Sequence, residues 1–271
     1  MIFYWDLKGI WLPMTTQETT HPSSADLELA SAVQAALLSA QIPPCRCGRM
    51  VLRNRMSQGV GGDFYHFRPL GDDQVAFAIG DVAGHGMGPA LIMTLILGVL
   101  RANHKDTRRP SRILGEINDL LVALGQRVNY FVTCSAFYGV VDLPTGILLY
   151  ANAGHPHPII CHRPERQVSE LPSTTMLLGV QSGELPESCH QFQRYDRLVL
   201  FTDGLPESQD GHGRFFGLSR LRSLVQATRE DSPDQFADRL LADAAAFTGQ
   251  DPPRDDQTLV VIDFDTVRSE G

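Results

Sequence analysis

Apolar and polar positions along this 271-residue chain change period several times, and each change marks an element. Residues 25–40 carry Leu27, Leu29, Val33, Ala36 and Leu37 at roughly helical spacing, predicting a helix opened near Ser24 and stopped by Pro43-Pro44. Residues 49–57, 64–68 and 74–81 read as strands, the first two flanking a turn at 59–62. The pattern turns helical over 89–102, where Pro89 suits a first turn, and again over 111–124. Strands follow at 130–141, 146–152 and 158–162, with a hairpin turn at Asp142-Leu143-Pro144-Thr145-Gly146. Residues 197–202 read as a further buried strand, 218–227 and 233–247 as helices, the second capped near Ser232, and 258–264 as the last strand. Runs of strands with helices clustered between them predict an α+β layered sandwich instead of strict βαβ alternation.

Residues 15–24, rich in Thr, Ser and Pro, read as a linker, and no repeat or domain boundary follows it. The apolar start, residues 1–5, is broken by Asp6 and Lys8, lacks a basic leader region and is too short to span a bilayer. It reads as an extra strand or docking segment. A hydrophobic content of 43% and a charged content of 20% are those of an ordinary globular protein. The formal net charge of -8 argues against a nucleic-acid or anionic-membrane surface, because phosphate backbones select basic faces. Five cysteines, with Cys45 and Cys47 forming only a Cys-x-Cys pair, predict reduced thiols and a cytoplasmic location.

The chemistry lies in four acidic signatures: Gly61-Gly62-Asp63-Phe64, Gly80-Asp81-Val82-Ala83-Gly84-His85-Gly86, Thr202-Asp203-Gly204 and Asp255-Asp256-Gln257-Thr258. Each sets a carboxylate at the end of an apolar run, beside glycine or a second acid, where backbone and solvent both approach. Asp63 and Asp81 lie at opposite ends of a short hairpin, which can bring them to one sheet edge, and Asp203 and Asp255 flank two strands that, if they are antiparallel neighbours, also bring both acids to one edge. Carboxylates without Cys or clustered His select Mg²⁺ or Mn²⁺, and a pair of such ions is the usual clamp for phosphoryl chemistry. The glycines around His85 turn the chain into a helix start whose amides favour an anion.

With these motifs, with Asn152-Ala153-Gly154-His155-Pro156 and with Leu178-Gly179-Val180, the chain resembles the bacterial SpoIIE/RsbU-type serine phosphatases of the metal-dependent PP2C-like superfamily, over about residues 27–264. The resemblance implies a four-layer αββα sandwich with two central antiparallel sheets. It divides the chain into an extension and linker at 1–23, a regulatory-type helix and loop at 24–44, and a phosphatase domain at 45–266. It implies that Asp81 bridges two Mn²⁺ or Mg²⁺ ions, with the Val82 carbonyl on one, while Asp203 and Asp255 complete the other. Asp63 then binds directly or through water, and Asp256, Gly62 and Gly204 support the ligands. Gly84, Gly86 and His85 are expected near the substrate phosphate, His85 as a general acid, a phosphate contact or a plain loop residue. The implied substrate is a phosphoserine or phosphothreonine protein, most often a STAS-domain anti-sigma-factor antagonist.

Many relatives carry an Asp where this chain has His66, which leaves an outer carboxylate missing. Regulation is expected from a partner acting in trans or from the 25–40 helix, which is also the expected surface of a homodimer. The competing readings are a degenerate phosphatase fold used as a scaffold and a metal nuclease or small-molecule phosphatase; the acidic balance speaks against nucleic acid. His155 is expected to brace a turn, Thr202 and Thr258 to fix neighbouring carboxylates or backbone, and Arg53 and Arg55 to face solvent.

Overall fold

The computed structural model describes residues 3–5, 11–13, 24–38, 42, 49–57, 59–102, 107–250, 252–265 and 267. The predicted linker at 15–24, apart from Ser24, and the Cys45/Cys47 loop lie outside them. In chain order the elements are β1 (Phe3–Trp5), β2 (Trp11–Pro13), α1 (Ser24–Leu38), β3 (Arg49–Arg55), β4 (Phe64–Pro69), β5 (Gln74–Val82), α2 (Met87–Arg101) and α3 (Pro110–Val128). There follow β6 (Cys134–Asp142), β7 (Ile147–Ala153), β8 (Ile159–His162), β9 (Gln167–Glu170), β10 (Ser188–Gln191), β11 (Asp196–Phe201), α4 (Leu218–Ala227), α5 (Pro233–Thr248) and β12 (Gln257–Asp263).

Two five-stranded antiparallel sheets, ordered β10-β7-β6-β5-β4 and β3-β12-β11-β8-β9, stack face to face, while β1 pairs only with β2. Helices α2 and α3 cover the first sheet, and α4 and α5 cover the second. The expected αββα layering is present. Strands β11 and β12 are buried on both faces, which explains their unbroken apolar runs. Leu198, Leu200, Val260 and Ile262 point into the core between the sheets, whereas Val199, Phe201, Leu259 and Val261 pack under α4 and α5. At the far end of β11, the buried Arg197 guanidinium meets Asp263 across the register at 2.6 and 2.9 Å and lies over the Phe236 ring. Among the described residues no helix is long and apolar enough to cross a membrane.

Several boundaries differ from the sequence reading. The strand expected from 130 begins at Cys134, and Tyr130 and Phe131 stay exposed. Helix α2 starts at Met87, directly after Gly86. Edge strands β9 and β10 give no apolar alternation of their own; backbone pairing with β8 and β7 creates them. Helix α1 docks through Gln34 and Leu38, both buried, while Leu27, Leu29 and Val33 are exposed.

Candidate active site

The site arises where one edge of each sheet meets the other. In the first sheet Phe64 pairs with Gly80, so Asp63 and Asp81 leave their strands side by side. In the second, Phe201 pairs with Leu259 and the Thr202 N–H donates to the Thr258 carbonyl, which sets Asp203 and Asp255 on the facing edge. The two edges are bonded together: Asp63 Oδ2 accepts the Thr202 hydroxyl at 2.8 Å and the Thr258 hydroxyl at 2.6 Å. Thr202 and Thr258 thus fix a carboxylate across the sandwich, and the Thr202 hydroxyl also holds backbone, accepting the Thr258 N–H at 3.0 Å.

Close backbone approach explains two of the glycines. A Cβ on Gly62 would stand 2.7 Å from both Asp81 Oδ1 and the Val82 carbonyl, blocking those two oxygens. A Cβ on Gly204 would meet the Asp256 carbonyl at 1.9 Å, so only glycine lets the second pair of loops touch. Asp256 does not orient Asp255 with its side chain; its backbone N–H does so, donating to Asp255 Oδ1 at 2.9 Å. The Asp256 carboxylate instead accepts the Ser57 N–H at 2.8 Å and packs against Gly61, bracing the Gly-Gly-Asp loop.

Gln34 is a site residue that sequence reasoning missed. Its buried amide donates to the Gly61 carbonyl at 2.8 Å and accepts the Gly61 N–H at 2.9 Å, tying α1 to the same loop. A lone glutamine among helical leucines carries no signal of such a contact. Asp81, Asp203, Asp255 and His85 line a cleft of about 1150 Å³, with Gly84, Arg254 and Glu207. Gly86 and Asp256 border the crevice beside it, whereas Asp63 is buried under the Thr202 and Thr258 hydroxyls. The same cleft is lined by Leu177, Phe215 and Leu218, exposed apolar side chains, and by Arg222, bonded to Glu170 at 2.6 Å.

The electrostatics are those of crowded acids. Burial, then the neighbouring Asp63, Asp203, Asp255 and Asp256, push the Asp81 carboxyl up to about 9. Burial likewise pushes Asp63 up to about 8 despite its two hydroxyl donors, and Asp203 is raised by burial first and then by Glu207 and Asp255. Such repulsion favours a bound cation, and an oxygen-only donor set of carboxylates and a backbone carbonyl fits Mg²⁺ or Mn²⁺. Among the described residues no three of the cleft acids close to within 4.8 Å, while His162, Glu165 and Asp196 do, at the other end of β11. There both His162 nitrogens are already bonded, to Asp196 at 3.0 Å and Ser169 at 2.9 Å, so the group works as a brace between strands.

His66 lies three residues inside β4, opposite Ala78 and about 10 Å along the strand from the acidic edge. Its surrounding charges are Arg68 and Arg101, not the site acids. His155 braces a turn as expected: its N–H donates to Asn152 Oδ1 at 2.9 Å, and its ring meets the Ser135 hydroxyl at 3.0 Å. Arg53 is engaged on the outer face by Asp234 and Asp238 of α5, at 2.9 and 2.8 Å, away from the cleft.

Comparison with known proteins agrees with this geometry. The chain is 27% identical over 231 residues to protein IcfG of Synechocystis, covering 74% of this chain but only 36% of that protein. It is 24% identical over 239 residues to the phosphoserine phosphatase RsbU of Bacillus subtilis, covering 88% of this chain and 70% of RsbU. Its fold is similar to that of the SiaA-PP2C domain of Pseudomonas aeruginosa, with a TM-score of 0.76 and 24% identity over 89% of this chain and 96% of that one. The sequence model of the Stage II sporulation protein E family matches residues 71–265, well over half of the chain, and the chain belongs to that SpoIIE family.

Proposed function

We propose that this chain is a metal-dependent protein serine/threonine phosphatase that hydrolyses phosphoserine or phosphothreonine on a regulatory protein. The observation that carries the reading is the set of mutually repelling carboxylates at the joined sheet edges, opening on a cleft wide enough for a side chain of another protein. Asp81, the Val82 carbonyl, Asp203 and Asp255 would hold Mn²⁺ or Mg²⁺ at this edge. Asp63, held by Thr202 and Thr258, supports the metal directly or through water. When bound, such ions supply activation of water and neutralisation of phosphoryl charge. Gly84, Gly86 and His85 border the space where the phosphate enters. The relative's name, phosphoserine phosphatase, supports the substrate class. A STAS-domain phosphoprotein in the cytoplasm is the proposed partner.

Residues 24–44 act in this reading as a regulatory segment for the domain at 45–266. Helix α1 touches the Gly-Gly-Asp loop through Gln34 and leaves Leu27, Leu29 and Val33 free for a second copy or a regulator. The test is Mn²⁺-dependent hydrolysis of p-nitrophenyl phosphate and of phosphorylated STAS protein. Turnover is expected with metal and lost on chelation and in Asp81→Asn. Turnover that persists in that variant would sink the mechanism, and a wild type that binds no metal would point to a scaffold.

A further inference from the structure

We propose that Arg254 supplies the cationic contact for the phosphoryl group in this cleft, an assignment that rests on the phosphatase reading above. Arg254 directly precedes Asp255 on the loop entering β12, and both line the cleft with Asp81, Asp203 and His85. Its side chain is exposed and makes no ion pair or hydrogen bond with another described residue. The other cations of the cleft wall are engaged. Glu170 holds Arg222 at 2.6 Å and stands 3.6 Å from His157. Of the two guanidinium groups lining the cleft, Arg254 is therefore the one that makes no ion pair with a described carboxylate.

The chain is anchored directly after Arg254. The Asp256 N–H is bonded to Asp255, and the Asp256 carboxylate is bonded to the Ser57 N–H at 2.8 Å and its hydroxyl at 3.1 Å. An exposed guanidinium next to an anchored acidic pair suits a group that meets an incoming anion. A phosphate monoester approaching Asp81, Asp203 and Asp255 meets repulsion from all three, and cations among them offset it only at the reacting end. A planar guanidinium at the rim binds two phosphate oxygens at once and anchors the non-reacting side. A lysine carries the charge but not the paired geometry.

The test uses the full chain as wild type, Arg254→Ala and Arg254→Lys. Calorimetry measures Mn²⁺ binding and then inorganic phosphate binding to the Mn²⁺-loaded protein, and steady-state kinetics on a phosphoserine peptide give kcat and KM. Arg254→Ala is expected to bind Mn²⁺ like wild type, to lose about 10- to 100-fold in phosphate affinity and to raise KM by a similar factor, with Arg254→Lys recovering part of both. Unchanged phosphate affinity in Arg254→Ala overturns the assignment, as does a wild type that binds no phosphate. Lost Mn²⁺ binding in Arg254→Ala also overturns it, because the residue then serves the metal site. A wild type that binds phosphate in an Arg254-dependent way but never turns over a phosphopeptide overturns the phosphatase reading alone.

Discussion

Gln34 satisfies both backbone groups of Gly61, so its amide sets where the Gly-Gly-Asp loop lies relative to Asp256. Gln34→Ala leaves a buried N–H and carbonyl unpaired, which costs about 1–3 kcal/mol for each group left unsatisfied. The expected outcome is a lower unfolding midpoint together with a higher Mn²⁺ concentration for half-maximal activity; a variant with wild-type metal dependence would separate α1 from the site. His66 argues at the same scale through pH. Burial first, then Arg68 and Arg101, lower its pKa from 6.5 to about 4. The unfolded chain therefore takes up the proton first as pH falls, and stability is lost between those two values, by about 3 kcal/mol at pH 4. His66→Asn is expected to flatten that part of the stability-pH curve in urea titrations, and an unchanged acid limb would refute the assignment. Neither residue's role was legible in the sequence: one is an ordinary helix glutamine, and the other was weighed only as a missing acid.

At the scale of elements, β11 and β12 do two jobs from opposite ends. Their last and first residues present Asp203 and Asp255 to the cleft, while Arg197 and Asp263 close the far end with a buried, doubly bonded ion pair. Removing one partner strands a buried charge, so Asp263→Ala is expected to cost about 3–5 kcal/mol in urea unfolding, and a paired apolar replacement such as Arg197→Met with Asp263→Leu much less. A single-variant loss below about 1 kcal/mol would show that water reaches the pair. These two strands were legible because eight of their residues are apolar and buried on both faces. Strands β9 and β10 were not, because short polar edges take their conformation from a neighbour's unpaired backbone. The start of β6 differs for the converse reason: pairing with β5 ends at Val82 opposite Cys134, with one further bond from the Ala83 N–H to the Thr133 carbonyl, so the β-prone Tyr130 and Phe131 lie beyond it and stay exposed.

At the scale of the whole molecule, α1 is held on one side and bare on the other. Leu29 is 66% exposed and Val33 48%, one turn apart, while Leu38 joins the core. A second copy covering this stripe is expected to give a dimer by light scattering at micromolar concentration, and Leu29→Glu with Val33→Glu a monomer that keeps its fold; a wild-type monomer would count against a homodimer. Charge, apolar periodicity and motif order in the amino-acid sequence alone determined the layered α+β fold and singled out the four acids that meet at the joined sheet edges, because burial and strand pairing leave a period in the chain and tight loops at strand ends set glycine beside carboxylate. Only the tertiary structure decided which acid is buried and which lines the cleft, that Thr202 and Thr258 serve Asp63, that Asp256 braces Gly61, and that Gln34 reaches the site. Those contacts join residues up to 199 positions apart, and a hydrogen bond between distant residues leaves no local pattern in a single sequence.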